Sequence, residues 1–234
     1  PQVLTGDAAT AGGKVLKSDS NSRVFINFVD HGGPGIIGFP QGVMHVKDLT
    51  AALQKMSDQS MYKEFVFYLE ACESGSMFPS MPPNAYATTA ANAQESSWGT
   101  YCMPDCKVDG KNLNTCLGDL YSVNWMEDAD KGKSGETLLD QYNTVKQLTN
   151  KSHVLQFGDD SIDAEAVTNF EGNSDSRRQL AAKASSSNLR SEDAAITSAF
   201  NRFMSTGSGA SAEELLQGIH DRRLAKTRFA AIAK

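Results

Sequence analysis

Residues 65–77 read FVFYLEACESGSM. Phe65 to Leu69 is an unbroken apolar and aromatic run, the pattern of a strand buried on both faces. The residues after it are polar and chemically equipped: Glu70, Cys72, Glu73 and Ser74. A second stretch is built the same way. Residues 24–32 read VFINFVDHG, so Val24 to Val29 is a short strand that runs into Asp30, His31 and the glycines Gly32, Gly33 and Gly35. Between the two, Val46, Leu49, Leu53 and Met56 recur at helical spacing. Tyr86 to Ala90 reads as a third strand. Thr137 to Thr149 reads as another helix, through Leu138, Tyr142, Val145 and Leu148. Strand, helix and strand in this order predict an α/β fold with a mostly parallel sheet flanked by helices. Ligands of such sheets sit beyond the carboxyl ends of the strands. Both polar clusters fall there.

The chain has four histidines and four cysteines, so a Cys/His site has few candidates. His31 and Cys72 each follow a buried strand, and parallel neighbours bring their carboxyl ends together. A thiolate nucleophile with an imidazole acid/base is what acyl transfer needs. The N–H groups of Gly32 and Cys72 are then candidates for an oxyanion hole. The competing reading of Cys72 is an inert buried thiol, and spacing alone does not separate the two. His45 and His153 read as structural, and His220 as surface or packing.

The whole chain narrows the field. It has 234 residues with 22 basic and 28 acidic side chains, a net charge of −6, and 40% hydrophobic residues. That length can bury a sizeable core without disulfides standing in for one. Its apolar runs are far shorter than the roughly 20 residues that span a bilayer, so no membrane partner is expected. The acidic balance argues against nucleic acid as a partner. Charge is uneven. Residues 1–173 carry 12 basic and 22 acidic side chains, a net of −10, whereas 174–234 carry 10 and 6, a net of +4. Around that change the chain turns small and polar, which reads as a linker. The basic tail reads as helices, with Ser211-Ala212-Glu213-Glu214 as a capping box before Leu215.

Several blocks together resemble the legumains, asparaginyl endopeptidases of the caspase-like fold: VFINFVDHG, FVFYLEACESGSM, then YATTAANAQESS at 86–97, LGDLYSVNWMED at 117–128 and SHVLQFG at 152–158. Ser97 to Cys102 with Thr115-Cys116 looks most like the plant-type branch. The resemblance implies a caspase-like catalytic domain over 1–172, an activation linker over 173–190 and part of a helical prodomain over 191–234. It implies Cys72 as nucleophile, His31 as proton-transfer partner, and Gly32 with Cys72 as oxyanion donors. Glu70 and Asp119 match the acidic specificity pocket, Ser96 and Ser97 its other wall, and Asp30 a position that relatives can dehydrate to a succinimide. A carboxamide offers a donor and an acceptor, so paired carboxylates suit an asparagine side chain.

The same resemblance implies a Cys102–Cys116 disulfide, with Cys106 left over, and hydrolysis after Asn, with Asp at acidic pH. It implies release of the prodomain by cuts after Asn173 or Asn188. The basic tail is expected to face the acidic domain and to loosen as carboxylates protonate. The expected partners are peptide and protein substrates, the chain's own prodomain and protein protease inhibitors. No metal or other cofactor is expected. A secretory route to lysosome or vacuole is implied, in keeping with a sequon at Asn150. The chain begins at Pro1, and the first strand of the family's sheet, with a pocket arginine and an asparagine, is expected upstream of it. The alternatives are a peptide ligase with the same site, tuned near Gly99, a transamidase subunit, or an inactive binding or inhibitory module.

Overall fold

The computed structural model describes residues 1–172 and 187–232. Its strands are β1 (Arg23–Val29), β2 (Gly32–Gly33), β3 (Ile36–Phe39), β4 (Gly42–His45), β5 (Glu64–Glu70), β6 (Ala85–Thr89), β7 (Trp98–Thr100), β8 (Lys107–Val108), β9 (Lys111–Asn112), β10 (Gly118–Asp119), β11 (Leu155–Gly158) and β12 (Leu189–Arg190). Its α-helices are α1 (Ala8–Ala11), α2 (Val46–Asp58), α3 (Leu120–Asp130), α4 (Leu138–Leu148), α5 (Thr168–Glu171), α6 (Ala194–Thr206) and α7 (Gly209–Ile232). Among the described residues no helix is long and apolar enough to cross a membrane.

The main sheet has the order β1-β5-β6-β11. β1, β5 and β6 are mutually parallel, and β11 closes the sheet antiparallel to β6. This is the mostly parallel α/β architecture the sequence predicts. The period of two along β5 sorts its side chains between two cores. Phe65, Phe67 and Leu69 pack with Leu49, Leu53 and Met56 of α2 on one face. Val66 and Tyr68 pack with Tyr121 and Trp125 of α3 and with Leu138, Tyr142 and Val145 of α4 on the other. Burying a side chain of this size contributes roughly 1.5–3 kcal/mol. Glu70 continues the Val66–Tyr68 face, so its carboxylate is carried to α3 rather than to α2.

Parallel pairing aligns three strand ends. Val29 sits opposite Glu70, and Leu69 opposite Thr89. Asp30 N–H donates to the Glu70 carbonyl just past the last pair. The segments that follow, Asp30-His31, Ala71-Cys72 and Ala90 to Ser97, therefore all leave one end of the sheet.

The tail differs from expectation in two places. Leu189 and Arg190, the end of the expected linker, form β12, which pairs antiparallel with Gly99 and Trp98 of β7. Ser211 is not the cap of α7, because the helix starts two residues earlier. Ser208 caps it, its Oγ accepting the Ser211 N–H at 3.2 Å. Glu214 pairs with Arg202 of α6 instead of reaching back to Ser211.

Candidate active site

Cys72 follows β5 and is 4% exposed. Its Sγ lies 3.2 Å from Ser96 Oγ and 3.6 Å from Ser97 Oγ. Burial pushes the thiol pKa up, and hydrogen bonds from Ser96 and Ser97 oppose that rise. Glu73, the next residue, takes a left-handed backbone with φ 49° and starts the turn through Ser74–Met77. The sharp turn halts the strand so that the thiol stays at its tip.

Gly32 lies against the same turn. A Cβ there would stand 2.1 Å from the Cys72 carbonyl oxygen and 2.9 Å from Ala71 Cβ. Only glycine fits, and the Gly32 backbone is thereby pressed onto the Cys72 turn. His31, one residue earlier, is exposed. Among the described hydrogen bonds none joins its ring to Cys72 Sγ. Its neighbour Asp30 accepts the His31 N–H at 2.6 Å through Oδ1. The other histidines have no part here. His45 precedes α2 without a side-chain cap bond, and His153 pairs with Glu95 at 2.9 Å.

A cleft of about 320 Å³ opens beside these residues, lined by His31, Glu70, Ser97, Asp119 and Ser191 among others. Among the described residues no lysine or arginine lines it. Glu70 is held from behind: its Oε2 accepts the Ser122 N–H at 2.9 Å and the Ser122 hydroxyl at 3.0 Å, in the first turn of α3. Its Oε1 is buried with no hydrogen-bond partner. Burial, then the nearby Asp119 carboxylate, raises the Glu70 pKa to about 8, against the opposing bonds from Ser122. Burial raises Asp119 as well. Glu73 is pushed to about 7, chiefly by burial and then by Glu192, while Arg190 and Arg222 pull it down.

These shifts have one sign. A carboxyl whose folded pKa is raised holds its proton more tightly when folded. Its contribution to stability is full below the ordinary glutamate range and is lost as pH rises through the folded value. The melting temperature is therefore expected to fall between mildly acidic pH and pH above about 8, and Glu70→Gln is expected to flatten that fall. A melting temperature that climbs over this interval in calorimetry contradicts the assignment.

The tail enters the cleft. Ser191 N–H donates to the Ser97 carbonyl at 3.0 Å, directly after the β12–β7 pairs. The Ser191 hydroxyl meets Asp119 Oδ1 at 3.3 Å and Ser97 Oγ at 3.1 Å. Asn188 lies three residues earlier, away from the carboxylates, in a separate hollow beside Cys102 and Cys116. Asn173 lies outside the described residues. The Cys102–Cys116 disulfide is present, and Cys106 is a buried free thiol. The disulfide backs the strand that holds the tail, since a Cβ on Gly99 would be 3.1 Å from Cys116 Sγ. Among the described residues the tail cations pair within the tail, Arg190 and Arg222 with Glu192 and Asp193. The expected attraction between the basic tail and the acidic domain is carried among these residues at longer range, through the pull of Arg190 and Arg222 on Glu73.

Ser122, Ser191 and Glu73 carry much of this geometry, and sequence reasoning missed them. Glu73 had a signal, a carboxylate beside a candidate nucleophile. Ser122 and Ser191 had none, because their roles arise from contacts 52 and 72 residues away along the chain.

The sequence pattern of the Peptidase C13 family matches residues 1–173. Legumain from Bos taurus is 49% identical over 177 residues, 73% of this chain and 39% of its own length. The vacuolar-processing enzyme of Vicia sativa is 46% identical over 166 residues, 67% and 33%. The hemoglobinase of Schistosoma japonicum is 45% identical over 175 residues, 73% and 40%. The chain thus spans at most 40% of these three relatives, and animal and plant proteins match it about equally well. The crystal structure of caspase-1 from Spodoptera frugiperda overlaps 66% of this chain and 64% of its own, at 10% identity and a TM-score of 0.42. With that pattern matched over residues 1–173 of its 234, the chain belongs to the Peptidase C13 family.

Proposed function

We infer that this chain is the catalytic part of a latent cysteine endopeptidase that cuts after asparagine, and more slowly after aspartate. The observation that carries the reading is the tail strand in the cleft. Leu189 and Arg190 extend β7 as a bound peptide would, Ser191 N–H meets the Ser97 carbonyl, and the Ser191 side chain points at Asp119. A substrate laid in the same register puts its own side chain between Asp119 and Glu70. Carboxylates there accept the N–H groups of a carboxamide. A protonated Glu70 or aspartate supplies the complementary donor.

In the reaction the Cys72 thiol gives its proton to the His31 ring, and the thiolate attacks the scissile carbonyl. The oxyanion forms beside the Gly32 and Cys72 N–H groups. The tetrahedral species collapses to a thioester as the amine leaves with the proton from His31. Water, deprotonated by His31, then releases the acid. Residues 1–172 are the catalytic domain, 173–190 the linker and 191–234 a lid, so the chain is latent until the linker is cut. The names of the relatives and the disulfide support an oxidising secretory route to a lysosome or vacuole.

The test is a set of peptides differing only at the cut position, given to the linker-cleaved protein at mildly acidic pH. Hydrolysis is expected fastest after Asn, slower after Asp and absent after Ala. Cleavage after Lys or Arg overturns the reading.

A further inference from the structure

We propose that Ser96 is a catalytic residue rather than only pocket wall, its hydroxyl being the donor that holds the Cys72 thiolate. The proposal rests on Cys72 being the nucleophile. Its basis is the arrangement around one hydroxyl. Ser96 Oγ is 3.2 Å from Cys72 Sγ and donates to the Ser97 carbonyl at 2.8 Å. Ser96 and Ser97 are 3% and 2% exposed, so neither hydroxyl has bulk water as an easy alternative partner.

A hydroxyl has one proton. While it donates to the Ser97 carbonyl, it accepts from the Cys72 S–H. That is the arrangement of a neutral thiol. Once the thiol proton passes to the His31 ring, Sγ is an anion and a stronger acceptor than a carbonyl. The Ser96 O–H then turns to it. Ser96 keeps its proton throughout, the charge on sulfur is balanced by the imidazolium, and no bond to Ser96 forms or breaks.

The Ser97 carbonyl is not left unpaired by this turn. It already accepts the Ser191 N–H at 3.0 Å, the contact a peptide backbone in the cleft makes. The carbonyl has two lone pairs and accepts both donors in the structure, so it keeps one partner when the Ser96 hydroxyl turns to the thiolate.

The test measures the pH dependence of Cys72 alkylation by iodoacetamide, localised by peptide mass, in the full chain and in Ser96→Ala, Ser96→Thr and Ser97→Ala. It is read beside kcat and KM on an Asn-containing peptide after linker cleavage. Ser96→Ala is expected to raise the alkylation midpoint by about one pH unit and to lower kcat about tenfold, with KM within about twofold. Ser96→Thr restores both. Ser97→Ala, at the longer contact, moves the midpoint less. Melting curves check folding; if Ser96→Ala does not fold, Ser96→Gly removes the same hydroxyl without adding a methyl group and must still raise the midpoint. An unmoved midpoint overturns the proposal, as does a rise in KM alone. A shifted midpoint in a protein that cleaves no Asn peptide keeps this proposal and removes the endopeptidase reading.

Discussion

Gly32→Ala is expected to lower kcat/KM by roughly 10³ and to destabilise the fold by about 1–3 kcal/mol. The methyl group would stand 2.1 Å from the Cys72 carbonyl oxygen and 3.1 Å from its carbonyl carbon. These are backbone atoms, so no side-chain rotation relieves the contact. Either Gly32 moves or the Cys72 turn moves. Gly32 is tied to Ile37 by the β2–β3 pairing, and the Cys72 turn is anchored by Glu73 N–H on the Glu95 carbonyl at 2.8 Å. Either displacement separates the proposed oxyanion donors from Sγ. Steady-state kinetics and thermal melting of the same preparation check both parts. Unchanged kcat/KM would place the oxyanion donors elsewhere.

Ser191→Asn is expected to turn the lid into a substrate. Residues 189–191, the strap across the cleft, already have a peptide's register on β7, with Leu189 opposite Gly99 and Ser191 N–H on Ser97. Its side chain reaches Asp119 with a single hydroxyl. A serine offers that cleft one short group, whereas an asparagine carboxamide has two donors and an acceptor to set between Asp119 and Glu70. A pocket built for hydrogen bonds discriminates strongly against a side chain that cannot make them. At mildly acidic pH the variant should therefore cut itself between residues 191 and 192, while the unmodified chain stays intact at that bond. Intact-mass measurement over time reads this directly. A Ser191→Asn protein that cleaves an added Asn peptide after linker cleavage, yet stays uncut between residues 191 and 192, would show that this segment does not lie in the productive register.

The sequence carried the strands and the reactive residues together. The run at Phe65 to Leu69 needs no partner to be recognised, because a strand covered on both faces is apolar throughout; Val24 to Val29, also read as buried, is instead the edge strand of the sheet, with Asn27 and Val29 exposed and only Val24 fully buried. The polar residues after each run then mark the functional edge. The Ser211 capping box failed because a cap is a local competition: Ser208, directly before the first residue of α7, accepts the Ser211 N–H and takes the cap position. The strap is harder still. Leu189–Arg190 is two residues long with no periodicity, and it becomes a strand only by contact with β7, some 90 residues away. The charge asymmetry between the two parts of the chain was legible, but charge totals do not fix partners. Arg222 turns to Glu192 and Asp193 of its own segment at 2.9 and 3.1 Å.

Turnover is expected to pass through a covalent bond between Cys72 and the substrate. The most direct measurement quenches the linker-cleaved protein in acid during turnover of an Asn-containing peptide ester and locates the adduct by peptide mass. The predicted result is one thioester on Cys72, heavier by the substrate's acyl part up to its Asn, and absent from Cys72→Ala, which no longer cleaves. An adduct on Cys106 instead, or undiminished cleavage by Cys72→Ala, would contradict it.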